Sequence, residues 1–80
     1  MRKLAIIKGV GYGNRDVGIP VLWFTVNPDE SSASLQVFGK DESYKIIRDS
    51  GVYNILELNN KPCWVEIDKN TIRFISIAWI

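Results

Sequence analysis

Few of the 80 residues could support enzyme chemistry, because the chain has no histidine and a single cysteine, Cys63. A Ser–His or Cys–His nucleophile pair cannot form within one chain, and no imidazole is available to transfer protons near neutral pH. The carboxylates that could act as acids or bases, such as Glu42 and Asp68, occur in turn-like or helix-start contexts and form no evident pair. Carboxylate, lysine or tyrosine chemistry stays open in principle. We nevertheless predict that the protein is not an enzyme and has no catalytic residues.

The same composition argues against a metal site or a cofactor. Zinc sites are built from several Cys and His ligands, whereas this chain offers one thiol and no imidazole. A single cysteine allows no disulfide within the chain and is typical of a reducing compartment. The first apolar run, residues 4–7, is too short for a signal-peptide core or a membrane span. We therefore expect a protein of the cytoplasm, with Cys63 as a small core residue.

Two polar clusters could bind a ligand or a partner. Asn14, Arg15 and Asp16 stand together in a glycine-flanked segment, and binding residues concentrate on loops held by a rigid scaffold. Alternatively, this segment is a turn in which Asn and Asp bond their own backbone. The second cluster lies on one face of a predicted strand and consists of Ser32, Ser34 and Gln36. Such a row could hydrogen-bond a ligand or a peptide strand, but the solvent-facing side of a hairpin has the same pattern.

Trp64 is the aromatic candidate for a binding site. It alternates in phase with Glu66 and Asp68, a pattern that predicts exposure. Exposed tryptophan is enriched at binding hot spots and can also stack on a base. The alternative is a ring packed under the helix or under the glycine-rich segment.

The hydrophobic pattern predicts one α+β domain spanning residues 1–80, with the element order β-β-β-α-β-β. Apolar runs and period-two alternation predict five strands, at residues 3–8, 21–26, 32–38, 63–68 and 71–79. The first strand is apolar on both faces and is therefore expected to be covered on both. Residues 9–20 hold four of the six glycines and predict a long loop.

A helix is predicted at residues 41–50. Asp41 offers an N-cap oxygen, and Gly51 provides the C-terminal stop. Its expected apolar side consists of Tyr44, Ile46 and Ile47. A further helical turn is expected at residues 54–57. Together these elements favour either a five-stranded antiparallel curled sheet or a small OB-like barrel with one helix.

Charge and size restrict the class of partner. The formal net charge is +1, with basic and acidic residues interspersed, so duplex nucleic acid is not favoured. A core this small gives modest stability, which makes self-association plausible. The C-terminal run 71–80 is apolar on both faces near its end, so it should be central in its sheet or pair with another chain, unless it closes against the first strand. A homodimer through this strand is therefore one hypothesis.

Three segments, at residues 13–24, 31–38 and 60–66, together resemble a family of small proteins encoded by phages and prophages. The shared features are a polar glycine-flanked segment, an apolar strand, a polar strand ending in Gln-x-Phe, and a Gly-Lys-Pro-Cys-like turn. This chain has Asn60 before Lys61-Pro62-Cys63, where the family usually has glycine. The family has no assigned activity, so the resemblance implies a phage context rather than a mechanism.

These observations lead to three functional hypotheses. The first is a phage-encoded binding protein that antagonises or redirects a host factor, such as an anti-CRISPR or a protein that sequesters a small ligand, through Asn14 to Asp16, the Ser/Gln strand face and Trp64. The second is an OB-like binder of single-stranded nucleic acid that uses Tyr12, Phe38, Lys61 and Trp64. The third is a structural or assembly component of a phage particle.

Overall fold

One antiparallel sheet of five strands forms the framework of the protein in the computed structural model, which describes residues 1–16 and 19–78. The strands are β1 Arg2–Asp16, β2 Ile19–Asp29, β3 Ser32–Phe38, β4 Pro62–Asp68 and β5 Thr71–Ile77. Helix α1, Lys40–Ser50, and a 3₁₀ turn, Ile55–Leu58, lie between β3 and β4. The strand order is β3-β2-β1-β4-β5. The predicted α+β class, element order and curled antiparallel sheet are confirmed.

Alternating side chains divide the curled sheet into an inner and an outer face. On β2, the side chains of Leu22, Phe24 and Val26 are buried on the inner face. The cluster that they join consists of Ala5, Ile7, Val10, Leu22, Phe24, Val26, Phe38, Ile46, Leu58, Cys63, Val65 and Ile77. The prediction that Cys63 is a core residue is confirmed.

β1 continues through the glycine-rich segment. Gly9 has a φ of 62°, and the pairing of β1 with β2 shifts register between Lys8 and Gly11, which marks a β-bulge. Glycine adopts this left-handed conformation without the steric cost that a side chain imposes. The prediction of a long loop at residues 9–20 was therefore wrong, although residues 17 and 18 lie outside the described part of the chain.

The ends of α1 are set by two glycines. Gly39 is the N-cap in an extended conformation and makes no side-chain capping bond, so the prediction that Asp41 is the cap was wrong. Asp41 lies instead in the first turn, where a carboxylate interacts favourably with the helix dipole. Gly51 ends the helix with a left-handed φ of 71°, as predicted.

α1 covers the core with small and aliphatic side chains. Ser43, Ile46 and Ser50 are buried, whereas Tyr44 is 67% exposed, so the prediction that Tyr44 belongs to the buried side was wrong. The hydroxyl of Ser43 donates to the carbonyl oxygen of Gly39 at 2.7 Å, and it accepts a hydrogen bond from the backbone N–H of Leu22 at 3.3 Å. The hydroxyl of Ser43 therefore satisfies a buried N–H of β2.

The turn before β4 is held by hydrogen bonds to β1. The predicted helical turn is present as the 3₁₀ turn, with Asn54 and Glu57 forming a capping box. Asn60 has a φ of 71°, a conformation that glycine adopts freely and that asparagine tolerates better than most residues. Its backbone N–H donates to the carbonyl oxygen of Ile7 at 2.7 Å, which fixes the entry into β4.

β3 and β5 are the two edges of the sheet, and the curl brings them together as a seam. Both run parallel to β1, because neighbouring strands in this order are antiparallel. The side-chain amide of Gln36 closes the seam: Nε2 donates to the carbonyl oxygen of Ile72 at 2.9 Å, and Oε1 accepts from the backbone N–H of Phe74 at 3.2 Å. A residue of a parallel strand would make the same two bonds, so this side chain replaces one backbone bridge.

Candidate interaction surface

The structure places the predicted site residues in three separate regions. Asn14 is exposed near the end of β1 opposite Pro20, whereas Trp64 is opposite Leu4 at the other end of the same strand. For Arg15 and Asp16 only the backbone, within β1, is described. The polar cluster of β1 and Trp64 therefore do not form one site.

The polar row on β3 lies on the inner face of the sheet. Ser34 is paired with Val26, Gln36 is paired with Phe24, and both polar side chains are half-buried. Gln36 bonds β5, and its Nε2 also donates to the hydroxyl of Ser34 at 3.0 Å. The solvent-facing interpretation of this row was wrong. The role of Ser32, Ser34 and Gln36 as ligand contacts stays a prediction, and the Gln36 amide is hydrogen-bonded within the fold.

Trp64 is exposed on the outer face of the sheet, next to a pair of apolar residues from β1. Its side chain is 40% exposed, and its cross-strand neighbour Leu4 is 45% exposed. Ile6, two residues further along β1, is 38% exposed. The alternative in which Trp64 packs under the helix or the glycine-rich segment was wrong. We call Leu4, Ile6 and Trp64 the outer strip.

Sequence reasoning missed Leu4 and Ile6, because a strand that is apolar on both faces is typical of a covered position. In the structure β1 is covered on one face only: Ala5 and Ile7 are buried, whereas Leu4 and Ile6 face outward. One helix cannot cover both faces of a five-stranded sheet, so one apolar face of β1 had to stay exposed. That face is the one that β1 shares with Trp64 of β4.

The outer strip is supported by interior strands. β1 pairs with β4 over residues 2–6 and with β2 from Ile6 onward, and β4 also pairs with β5. A ligand on the outer strip would contact the exposed side chains of Leu4, Ile6 and Trp64. The charges beside it are mixed, because Glu66 lies between Arg2 and Arg73 across the strands. This is not the uniformly basic surface that binds a nucleic-acid backbone.

A second apolar area lies on the outer face of β2 and β3. Leu35 and Val37 are 48% and 50% exposed, and Val37 is paired with the half-buried Trp23. The indole of Trp23 lies across Gly11, where an added Cβ would come within 2.3 Å of the ring. Glycine at position 11 therefore allows this indole to lie flat on β1.

Cys63 offers no reactive group to either area. Burial raises the pKa of its thiol to about 12, so the thiolate is not formed near neutral pH. In the described residues, 1–16 and 19–78, no group of three His, Cys, Asp or Glu side chains is placed to hold a metal ion. Within the same part of the chain, no helix is long and apolar enough to cross a membrane.

Comparison with known proteins identifies no relative of this chain. No protein-family model, curated protein or solved structure matches it. The resemblance to phage and prophage proteins therefore rests on the three sequence segments alone and stays a prediction.

Proposed function

We propose that the protein is a non-catalytic binding module whose outer strip contacts a partner protein. The observation that carries this proposal is the position of Leu4, Ile6 and Trp64 on two adjacent interior strands, each at least 38% exposed. Large apolar side chains that are grouped on a rigid surface gain most when a partner removes them from water.

The composition of the outer strip favours a protein partner. Tryptophan is among the residues most enriched at binding hot spots, and aliphatic neighbours exclude water around it. Arg2, Glu66 and Arg73 form a mixed polar border along one side of the strip. An apolar centre with a polar rim is the usual arrangement of protein–protein interfaces.

We further propose that the partner is a host factor and that the protein is encoded by a phage. A host factor antagonised by a phage-encoded protein fits a chain of 80 residues without histidine, because such a protein would act by occupying a surface. The support for this context is the sequence resemblance described above. The outer strip is equally suited to a partner from the same cell.

Trp64→Ala tests the proposed contact. The purified wild-type chain is immobilised, a bacterial lysate is passed over it, and retained proteins are quantified by mass spectrometry. We expect proteins retained by the wild type to be lost by about tenfold or more with Trp64→Ala, since truncating a hot-spot residue costs about 2 kcal/mol or more.

The matched control is Tyr53→Ala, which removes an aromatic side chain that is fully exposed outside the outer strip. It should retain the same proteins as the wild type. Equal retention by the wild type and Trp64→Ala, with both chains folded by circular dichroism, would contradict the proposal.

Binding of single-stranded nucleic acid is the second candidate, and the strand order favours it. An OB-like barrel has this order, with its helix between the third and fourth strands, and such barrels bind single strands through stacked aromatic side chains. Tyr12 is 51% exposed and suits that role. Phe38 does not, because it is buried against Phe24, and this part of the sequence-based hypothesis was wrong.

Titration with oligo-dT at low salt tests the second candidate. Stacking should quench the tryptophan fluorescence, and added salt should weaken the binding because counterions are released on association. Tyr12→Ala should reduce this binding, whereas Tyr53→Ala should not. No quenching with excess oligonucleotide at low salt, or binding that Tyr12→Ala leaves unchanged, would contradict this candidate.

A further inference from the structure

A groove of about 750 Å³ opens between α1 and the end of β5. Its apolar lining comes from Phe38, Ile46, Phe74, Ile75 and Ile77. Its polar lining comes from Glu42, Lys45, Asp49 and Ser76. The volume is within the range of about 300–1,000 Å³ that is usual for ligand sites. None of these residues belongs to the outer strip, so the groove is a separate surface.

The groove exists because β5 extends further than the strand beside it. β3 ends at Phe38, and the chain then turns into α1. Gln36 bridges to Ile72 and Phe74, near the middle of β5. The remaining residues of β5, through Ile77, line the groove beside the helix.

Backbone groups of β5 face this groove. The N–H of Ala78 donates to the carbonyl oxygen of Pro62 at 3.0 Å, so the backbone of Ala78 is directed toward β4. Successive residues of a strand direct their N–H and C=O groups to opposite sides. The N–H and C=O of Ile77 therefore point away from β4, toward the groove.

Where β3 and β5 meet at the seam, the structure shows which chemical group fits the edge of β5. There the carboxamide of Gln36, which has the same donor and acceptor as a peptide unit, bonds to β5 in the pattern of a parallel strand. We infer that the groove between α1 and β5 binds an extended segment of a partner protein, whose backbone pairs with Ile77.

The side chains of the groove define the chemistry of that segment. Phe74 and Ile46 accept apolar side chains at alternate positions, because a paired strand directs every second residue to the same face. Asp49 is already ion-paired with Arg48 at 3.3 Å, so Glu42 is the acidic group that a lysine or arginine of the segment would meet in the groove. This mode of recognition is strand addition at a sheet edge.

A displayed library of random heptapeptides, selected against the whole chain, tests this inference. We expect enriched peptides with alternating apolar residues and at least one lysine or arginine. A synthetic copy of the most enriched peptide should bind in fluorescence anisotropy and should slow amide hydrogen exchange at Ile77. Methylation of one backbone nitrogen at alternate positions of the peptide should weaken binding by about tenfold, since it removes a ladder hydrogen bond.

Charge reversal provides the matched variants. The variant Glu42→Lys should weaken binding of the basic peptide by about tenfold. Glu30→Lys, which makes the same kind of change in the β2–β3 turn, should leave it unchanged. Trp64→Ala should also leave it unchanged, which separates this groove from the outer strip.

Three results would overturn the inference. The first is a selection that enriches no peptide above the starting library. The second is an enriched peptide whose affinity is insensitive to N-methylation at every position. The third is protection of the Ile77 amide when the concentration of the protein alone is raised, because a second copy of this chain would then be the occupant.

Discussion

Replacement of Gln36 by leucine should open the seam between β3 and β5. The wild-type amide makes two hydrogen bonds to β5, to Ile72 at 2.9 Å and from Phe74 at 3.2 Å. Leucine has a similar volume, so the substitution removes these bonds without leaving a large cavity. A hydrogen bond contributes about 0.5–1.5 kcal/mol net, so two bonds give about 1–3 kcal/mol. The whole domain is expected to be stable by about 4–12 kcal/mol, of which this is a measurable share.

Urea unfolding followed by tryptophan fluorescence measures the loss. We expect the free energy of unfolding to fall by about 2 kcal/mol with an unchanged m-value. Amide exchange at Phe74 should accelerate, because its N–H loses the Gln36 acceptor. Leu35→Gln is the matched control: it places the same amide on the outer face of β3 and should change stability by less than about 0.5 kcal/mol. A Gln36→Leu variant as stable as the wild type, with Phe74 exchange unchanged, would refute the role of the amide.

Gln36→Glu separates the donor from the acceptor. A carboxylate can still accept from the N–H of Phe74, but it cannot donate to the carbonyl oxygen of Ile72. The folded state therefore favours the protonated side chain and raises its pKa above the unfolded value. The stability of this variant should approach that of the wild type below about pH 4.3 and fall as the pH rises through the folded-state pKa. A stability gap independent of pH would contradict the hydrogen-bond pattern.

Three further predictions follow from individual contacts. Gly11→Ala should destabilise the fold by about 1–3 kcal/mol and shift the tryptophan emission, because the new Cβ meets the ring of Trp23 at 2.3 Å. Unchanged emission and unchanged stability in urea would contradict this contact. Ser43→Ala should lower the free energy of unfolding by about 1–3 kcal/mol in urea, because the buried N–H of Leu22 loses its acceptor. An unchanged free energy would show that this N–H finds another partner. For Cys63, the unfolded thiol ionises near pH 9.0 and the folded thiol near 12, so stability should fall by up to about 1.4 kcal/mol per pH unit between these values. The difference between wild type and Cys63→Ala isolates this effect, and a difference that does not change from pH 8 to pH 11 would exclude it.

The strand and helix positions could be predicted from the sequence because they depend on near neighbours. Alternation over a few residues located the strands at residues 21–26, 32–38 and 63–68, and the structure confirms all three, although β2 is longer by two residues at its start and three at its end. Gly51 marked the end of α1, since glycine adopts the left-handed conformation that stops a helix. The absence of histidine likewise limits the chemistry of the chain, whatever its fold.

The orientation of each strand face depended on residues distant in the chain. The polar phase of β3 faces inward because Gln36 bonds to β5, which follows it by more than thirty residues. One apolar phase of β1 faces outward because the other phase faces the core on the inner side of the curl, and α1 packs against β2 and β5. A glycine-rich stretch became strand because local shifts of register, between Lys8 and Gly11 and between Asn14 and Asp16, absorb the irregularity.

The sequence by itself thus determined a small α+β domain, its core cysteine, the helix stop at Gly51 and the lack of histidine side chains. Only the tertiary structure decided that Leu4 and Ile6 join Trp64 in an outer strip, and that the end of β5 borders a groove. The physical reason is that the exposure of a side chain depends on which strands pair and on which elements pack over them. A strand pattern specifies two faces, but which of them is buried depends on the register and on where α1 packs.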